Sequence, residues 1–185
     1  MPRIISGQAK GLQLKSLKGE HTRPSADRTK EALFSILQET IPASRCLDLF
    51  AGCGQIGLEA LSRGANQVIF CEQNYQAFQI LKANVAATPF GDRAIIYRKD
   101  ARALAQQLSR TDEKFNFIYV DPPWREAEAL IQTLVPVLSG LLNTQGVLVL
   151  ELDRKQDICL PPMEPLQEVK ACHYGRAMLL FYKLS

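Results

Sequence analysis

Apolar positions along the chain fall into two alternating rhythms. Short continuous runs at 45–50, 67–71, 94–97, 115–120 and 146–152 predict strands buried on both faces. Between them apolar residues recur at helical spacing: Ile56, Leu58, Ala60 and Leu61 before a stop at Gly64, and Phe78, Ile80, Leu81 and Val85 over 75–86. Residues 101–108 and 127–138 read as two more helices. Ahead of this series, residues 3–6 and 12–17 predict two short strands around a turn at Gly7 to Gly11, and Ser25 is placed to cap a helix running to about Gln38. Behind it come a turn at 140–145, a Pro-rich stretch at 153–166, and a closing strand pair, 168–173 and 177–183, with Gly175 at its turn. Strand alternating with helix predicts an α/β fold. Its sheet is mostly parallel with helices on both faces and ends in a C-terminal antiparallel hairpin, after a small N-terminal hairpin and helix. No repeat or long linker interrupts the 185 residues, so the expectation is one domain, with residues 1–40 as an N-terminal extension.

Charge adds a partner to this picture. Residues 1–30 hold seven basic side chains against Glu20 and Asp27, whereas the whole chain carries only +3. A basic extension on a nearly neutral body points to a polyanion, most simply nucleic acid. The five cysteines form no C-x-x-C and mostly sit in apolar runs, and the only histidines are His21 and His173. Reduced thiols in a cytoplasm are therefore expected, with neither a disulfide framework nor a metal centre. No apolar run reaches the length of a membrane span, and the N-terminal Met-Pro-Arg-Ile-Ile-Ser lacks a signal peptide's apolar core.

The candidate chemistry begins where the first apolar run ends. Gly52, Gly54 and Gly57 form a G-x-G-x-x-G between strand and helix, which permits a tight turn, close approach of a ligand to bare backbone, and a helix N-terminus with free N–H groups. That pattern fits NAD as well as S-adenosylmethionine. Asp48 favours the second, because a carboxylate suits a ligand with a sulfonium and an ammonium and would repel a pyrophosphate. Glu72, 20 residues past Gly52, stands where a nucleoside fold places an acceptor for ribose hydroxyls. Asp100 follows the third strand and could meet an adenine amine, or could cap the helix that begins there.

A second motif discriminates further. Asp121-Pro122-Pro123-Trp124 ends the fourth strand, because prolines cannot donate to a sheet ladder and stiffen the residues before them. The turn fixes the Asp121 carboxylate, the Pro122 carbonyl and the Trp124 ring together. Two acceptors beside an aromatic plate suit a planar ring bearing an exocyclic amine. Accepting both amine hydrogens would expose the nitrogen lone pair for in-line attack on a methyl group.

With both motifs in hand, the chain resembles the amino-methyltransferase group of the S-adenosylmethionine-dependent Rossmann-like superfamily, on Asp48-Leu-Phe-Ala-Gly-Cys-Gly and Asp121-Pro-Pro-Trp. Arg3-Ile4-Ile5-Ser6-Gly7, Arg23-Pro24, Asp27-Arg28, Glu31-Ala-Leu-Phe34, Gly57-Leu-Glu-Ala-Leu-Ser-Arg-Gly-Ala65 and His173-Tyr174-Gly175 narrow the resemblance to the RsmD family. It departs from that family's usual wording at Trp124, where Phe or Tyr is commoner, and at Cys53, where Ser is. The resemblance implies a seven-stranded class I methyltransferase fold and methyl transfer to the N2 amine of a guanine in 16S ribosomal RNA, free or in an assembling small subunit. It implies that Asp48, Gly52 and Gly54 border the cofactor's amino-acid end, Glu72 its ribose and Asp100 its adenine, with Phe50 and Ala101 also at the cofactor. Asp121, Pro122, Pro123 and Trp124 would hold the guanine, and Arg3, Lys10, Arg23, Arg28 and Tyr174 would meet RNA. Adenine N6 methylation, a non-catalytic RNA-binding assembly factor, and an NAD oxidoreductase are the competing readings.

Overall fold

The computed structural model describes residues 1–17, 24–155 and 158–185. Its centre is a seven-stranded sheet in the order β3-β2-β1-β4-β5-β7-β6, where β1 is Arg45–Asp48, β2 Gln67–Cys71, β3 Ala94–Tyr97, β4 Phe115–Val120, β5 Leu142–Asp153, β6 Leu166–Tyr174 and β7 Ala177–Leu184. The first five strands are parallel, and β7 inserts antiparallel between β5 and β6. The helices are α1 Pro24–Ile36, α2 Gln55–Ser62, α3 Tyr75–Ala86, α4 Ala101–Leu108 and α5 Ala127–Leu141. Strand order reverses between β1 and β4, and at such a switch point the carboxyl ends of the two strands open a crevice.

Side chains alternate across the sheet, and the two faces bury separate cores. Leu47, Ile69, Ile118 and Leu148 point to the face packed by α4 and α5. Cys46, Val68, Phe70, Phe117 and Val149 point to the other, packed by α1, α2, α3 and by Ile4 and Leu14 of the N-terminal segment. Each wholly buried Leu or Phe contributes about 1.5–3 kcal/mol, so both layers hold the strand ends in fixed register.

Several local expectations are revised. The N-terminal pair is not two regular strands: one bridge, Arg3 to Gln13, is formed. Other backbone donors there go to neighbouring carbonyls, and four are taken by side chains of the body, Ala9 N–H by Ser62 Oγ at 3.0 Å among them. Glu59 accepts from Ile5 N–H (2.7 Å) and Ser6 N–H (3.0 Å), and Asn84 accepts from Lys15 N–H (2.8 Å). Ser25 lies inside α1, not at its cap, because the helix starts at Pro24, whose missing N–H costs nothing at a first helical position. No separate turn occupies 140–145. Helix α5 runs directly into β5, whose first residue pairs with Phe115 before a register shift carries the ladder to Phe117–Val147.

The basic extension is also less basic at its surface than the sequence implies. Lys30 is 2% exposed and ion-paired with the wholly buried Glu59 at 3.7 Å, which Arg63 also meets at 2.8 Å. Burial pulls the Lys30 ammonium below its ordinary range, with the Glu59 charge opposing. Lys30 thus staples the N-terminal segment, donating to the Arg3 carbonyl.

Candidate active site

An open cavity of about 840 Å³ lies at the carboxyl ends of the strands, bounded by the loop after β1, the ends of β2 and β4, and side chains of α1 and β5. Its first wall is the glycine loop. Gly54 has φ of +86° and is the residue before α2; a Cβ there would meet Leu81 at 2.4 Å. Gly57 lets α2 lie on β2, since a Cβ would strike the Phe70 ring at 2.1 Å. Gly52 differs: it lines the cavity, and a Cβ there would meet nothing within 4 Å. Gly54, expected at the cofactor, lies behind the wall instead of on it. The loop is braced from α3, where Asn84 donates to the Cys53 carbonyl at 2.8 Å.

Three acids border this wall. Glu72 accepts from Gly52 N–H (2.8 Å) and Asn74 N–H (2.7 Å), so it shapes the loop as well as facing the cavity. Asp100 caps α4, accepting from Arg102 and Ala103 N–H at 3.0 and 3.2 Å and pairing with the Arg102 guanidinium, which holds its carboxyl below the usual range. Capping is therefore its visible role, although it and the buried Ala101 both line the cavity with Phe50. Asp48 is 2% exposed. Its Oδ2 accepts from Gly57 N–H at 3.2 Å, and its Oδ1 has no hydrogen-bond partner among the described residues. Burial pushes this acid up to about 7. A buried acceptor left unpaired costs about 1–3 kcal/mol, which a cationic donor entering the cavity would relieve.

The opposite wall is the end of β4. Asp121 follows Val120, the last residue of that strand, and Pro122 is buried while Pro123 is exposed. Trp124 opens a 3-10 turn, Trp124–Glu126, and stays 48% exposed at the cavity edge. The Arg176 guanidinium lies 4.6 Å from the indole centroid and is held there by the buried Asp153. Burial, then the Glu151 and Asp48 charges, push the Asp121 carboxyl well above its usual range.

Glu151, Asp153, Arg176 and Lys30 line this cavity, and sequence reasoning had given none of them a part in the site. The signal for Glu151 was its position: it stands near the carboxyl end of β5 as Asp48 and Asp121 stand at the ends of β1 and β4. Among the expected RNA contacts, Tyr174 lines the cavity, while Arg3, Lys10 and Arg28 are exposed outside it; Arg23 lies outside the described residues. Arg3 is 61% exposed and pairs with Asp27 at 3.4 Å. Among the described residues, no cluster of His, Cys, Asp and Glu could hold a metal ion, and no helix is long and apolar enough to cross a membrane.

This geometry can be set beside known proteins. The family model described as "Conserved hypothetical protein 95" matches residues 2–183. The chain belongs to the RsmD/YlbH family of rRNA methyltransferases. Within that family, the "Putative rRNA methyltransferase YlbH" of Bacillus subtilis is 36% identical over 158 residues, covering 84% of this chain and 85% of that protein. The Escherichia coli K12 "Ribosomal RNA small subunit methyltransferase D" is 34% identical over 151 residues, covering 80% and 73%. The solved structure of the Thermus thermophilus hypothetical protein TTHA0928 superposes with a TM-score of 0.85 at 29% identity, covering all of both chains. RsmD/YlbH proteins are S-adenosylmethionine-dependent methyltransferases. The residues present fit that group: the unpaired Asp48 Oδ1 suits its ammonium, the open Gly52 edge leaves room against backbone, and Glu72 retains lone pairs for hydroxyls.

Proposed function

We propose that this chain transfers a methyl group from S-adenosylmethionine to the exocyclic N2 amine of a guanine in 16S ribosomal RNA, either as free RNA or within an assembling small subunit, in the cytoplasm. One observation carries this reading: the glycine-loop wall with Asp48 and the Asp121–Trp124 turn line the same cavity. In this reading the chain is a single methyltransferase domain with residues 1–40 as its RNA-facing extension.

When bound, the cofactor supplies an electrophilic methyl group on a sulfonium. Asp48 would take its ammonium and Glu72 its ribose hydroxyls, Phe50, Gly52 and Ala101 would border it, and Asp100 would meet the adenine. Asp121 and the Pro122 carbonyl accept the two amine hydrogens of the target base, and Pro123 holds the turn rigid. Trp124, half exposed, offers its ring for stacking. With both hydrogens held, the nitrogen lone pair would be released from the ring to form the N–C bond as the methyl's bond to the sulfonium sulfur breaks with its electron pair left on sulfur, and the amine would give up one proton to the Asp121 carboxylate or to water. Positioning of this kind supplies up to about 7–11 kcal/mol of a barrier. Asp121 also offsets charge developing on the nitrogen. Arg3, Lys10, Arg23 and Arg28 contact phosphates, and Tyr174 contacts the splayed nucleotide. Binding therefore weakens steeply with salt, and the phosphate contacts offset the few kcal/mol needed to unstack the base.

The test is transfer of a labelled methyl to deproteinised and partly assembled small subunits, followed by nucleoside digestion. Label in N2-methylguanosine is the expected result. Label in N6-methyladenosine, or only in DNA or protein, would overturn the proposal.

A further inference from the structure

Two carboxylates, not one, face the position of the reacting base. Asp121 and Glu151 each follow a residue of the aligned pair Val120–Leu150, so they are neighbours across β4 and β5 at the mouth of the cavity that both line. Tyr119 and Asp121 share one face of β4, and Val149, opposite Tyr119, shares that face with Glu151 on β5. The Tyr119 hydroxyl donates to Glu151 Oε2, which fixes the carboxylate, while Oε1 has no protein hydrogen bond among the described residues. This pairing across strands is invisible to either motif alone.

The Watson–Crick edges of the purines decide what such a pair can read. Guanine presents two adjacent donors, the N1–H and the N2 amine. Adenine presents an amine beside N1, which is an acceptor. One carboxylate beside a single acceptor turn would serve either base. A second carboxylate next to it completes an acceptor–acceptor edge that matches guanine and meets the adenine N1 lone pair with like charge.

We propose that Glu151, locked by Tyr119, accepts the guanine N1–H and is the residue that selects guanine over adenine in this pocket. The inference rests on the guanine-N2 reading above. No proton is transferred to Glu151 in this role. By accepting N1–H it also draws electron density toward the amidine nitrogens, N2 included. Burial raises the Glu151 carboxyl above its ordinary range, and Tyr119's donation partly offsets that rise.

The experiment uses the small-subunit substrate with its mapped target guanine, and the same substrate carrying 2-aminopurine at that position. The analogue keeps the exocyclic amine but has an N1 lone pair in place of N1–H. Wild type is expected to favour guanine by about 100-fold or more in kcat/KM, because a site built to receive an N–H rejects an analogue lacking it. Glu151→Gln, whose amide can donate to N1, should narrow the preference to about tenfold or less, chiefly by losing turnover on guanine. Since 2-aminopurine also lacks O6, the deciding quantity is the change in this ratio on substitution. A ratio unchanged in Glu151→Gln overturns the proposal, as does a wild-type preference below about tenfold. If Glu151→Gln fails to fold by thermal melting, Tyr119→Phe, which frees the carboxylate, must narrow the ratio severalfold, and an unchanged ratio there overturns it equally. Absence of label on the unaltered guanine overturns the guanine-N2 reading and this one with it. Normal labelling with no discrimination overturns this one alone.

Discussion

The acids of this molecule divide into two groups that sequence does not separate. Glu59, Glu72 and Asp100 have their oxygens occupied by backbone N–H groups: Ile5 and Ser6, Gly52 and Asn74, Arg102 and Ala103 respectively. Asp48, Asp121 and Glu151 line the cavity with fewer protein donors, and burial pushes all three carboxyls upward. The first group holds main chain in place around the site. The second stores uncompensated acceptor capacity inside it. Charge that is costly to leave unpaired is what a donor-rich, partly cationic ligand set can relieve.

The largest test of this division is Glu59→Ala. It removes in one step the acceptor for Ile5, Ser6 and Arg63 and leaves the Lys30 ammonium buried without its partner. Chemical denaturation should show a loss of about 3–5 kcal/mol, the range for breaking one side of a buried ion pair. A loss below about 1 kcal/mol would mean that Ile4, Leu14 and the Asn84 and Ser62 contacts hold the N-terminal segment without Glu59.

Asp121→Ala comes next, and it should behave in the opposite way. Turnover should fall by about 100- to 1000-fold, as when a preorganised group facing developing charge is removed. Stability should stay level or rise, since the side chain is held above its usual carboxyl range by burial and by Glu151. Calorimetry with S-adenosylmethionine should give affinity within a few-fold of wild type, which separates methyl transfer from cofactor binding. Retained turnover would move Asp121 into the structural group.

These two residues also show what was legible. The β1–loop–α2 unit and the Asp121–Trp124 turn were read from sequence because their information is local: an apolar run, glycines at fixed offsets, prolines that end a strand. Glu151 was not, because its meaning depends on β5 lying beside β4 in a particular register. Lys30 and Glu59 were missed for a similar reason. A lysine on a helix reads as solvent-facing, and its partner lies 29 positions away. A faint signal existed, since Glu59 sits inside an otherwise apolar stretch of α2. Asn84 in the last turn of α3 carried the same kind of signal, a poor helix former whose side chain serves distant backbone.

Acidity provides a third test. Burial holds Asp48 at about 7 in the folded protein, against about 3.9 in an unfolded chain. Between those values the folded state keeps a proton that the unfolded state has released. Stability from this site is therefore fully present below about pH 3.9 and is lost as pH rises through 7. Asp48→Asn cannot titrate, so stability curves of wild type and variant should diverge across that window, with the variant favoured at higher pH. If the ammonium of S-adenosylmethionine pairs with ionised Asp48, binding also releases that proton. Wild-type affinity should then rise about tenfold from pH 6 to pH 8, and the Asn variant should show no such slope.

The smallest effect addresses the one acid whose group is most open to challenge. Asp100 caps α4, yet it lines the cavity where an adenine amine could reach it. Asn caps a helix about as well as Asp, whereas Ala costs about 1 kcal/mol. Asp100→Asn should therefore leave the melting temperature unchanged, and Asp100→Ala should lower it slightly. The two roles separate in the cofactor titration. An adenine amine loses a charge-assisted hydrogen bond in both variants, so affinity should fall severalfold in each. Should Asp100→Asn match wild type in affinity as well as stability, the carboxylate only shapes the start of α4, and Asp100 belongs wholly with Glu59 among the acids that hold main chain.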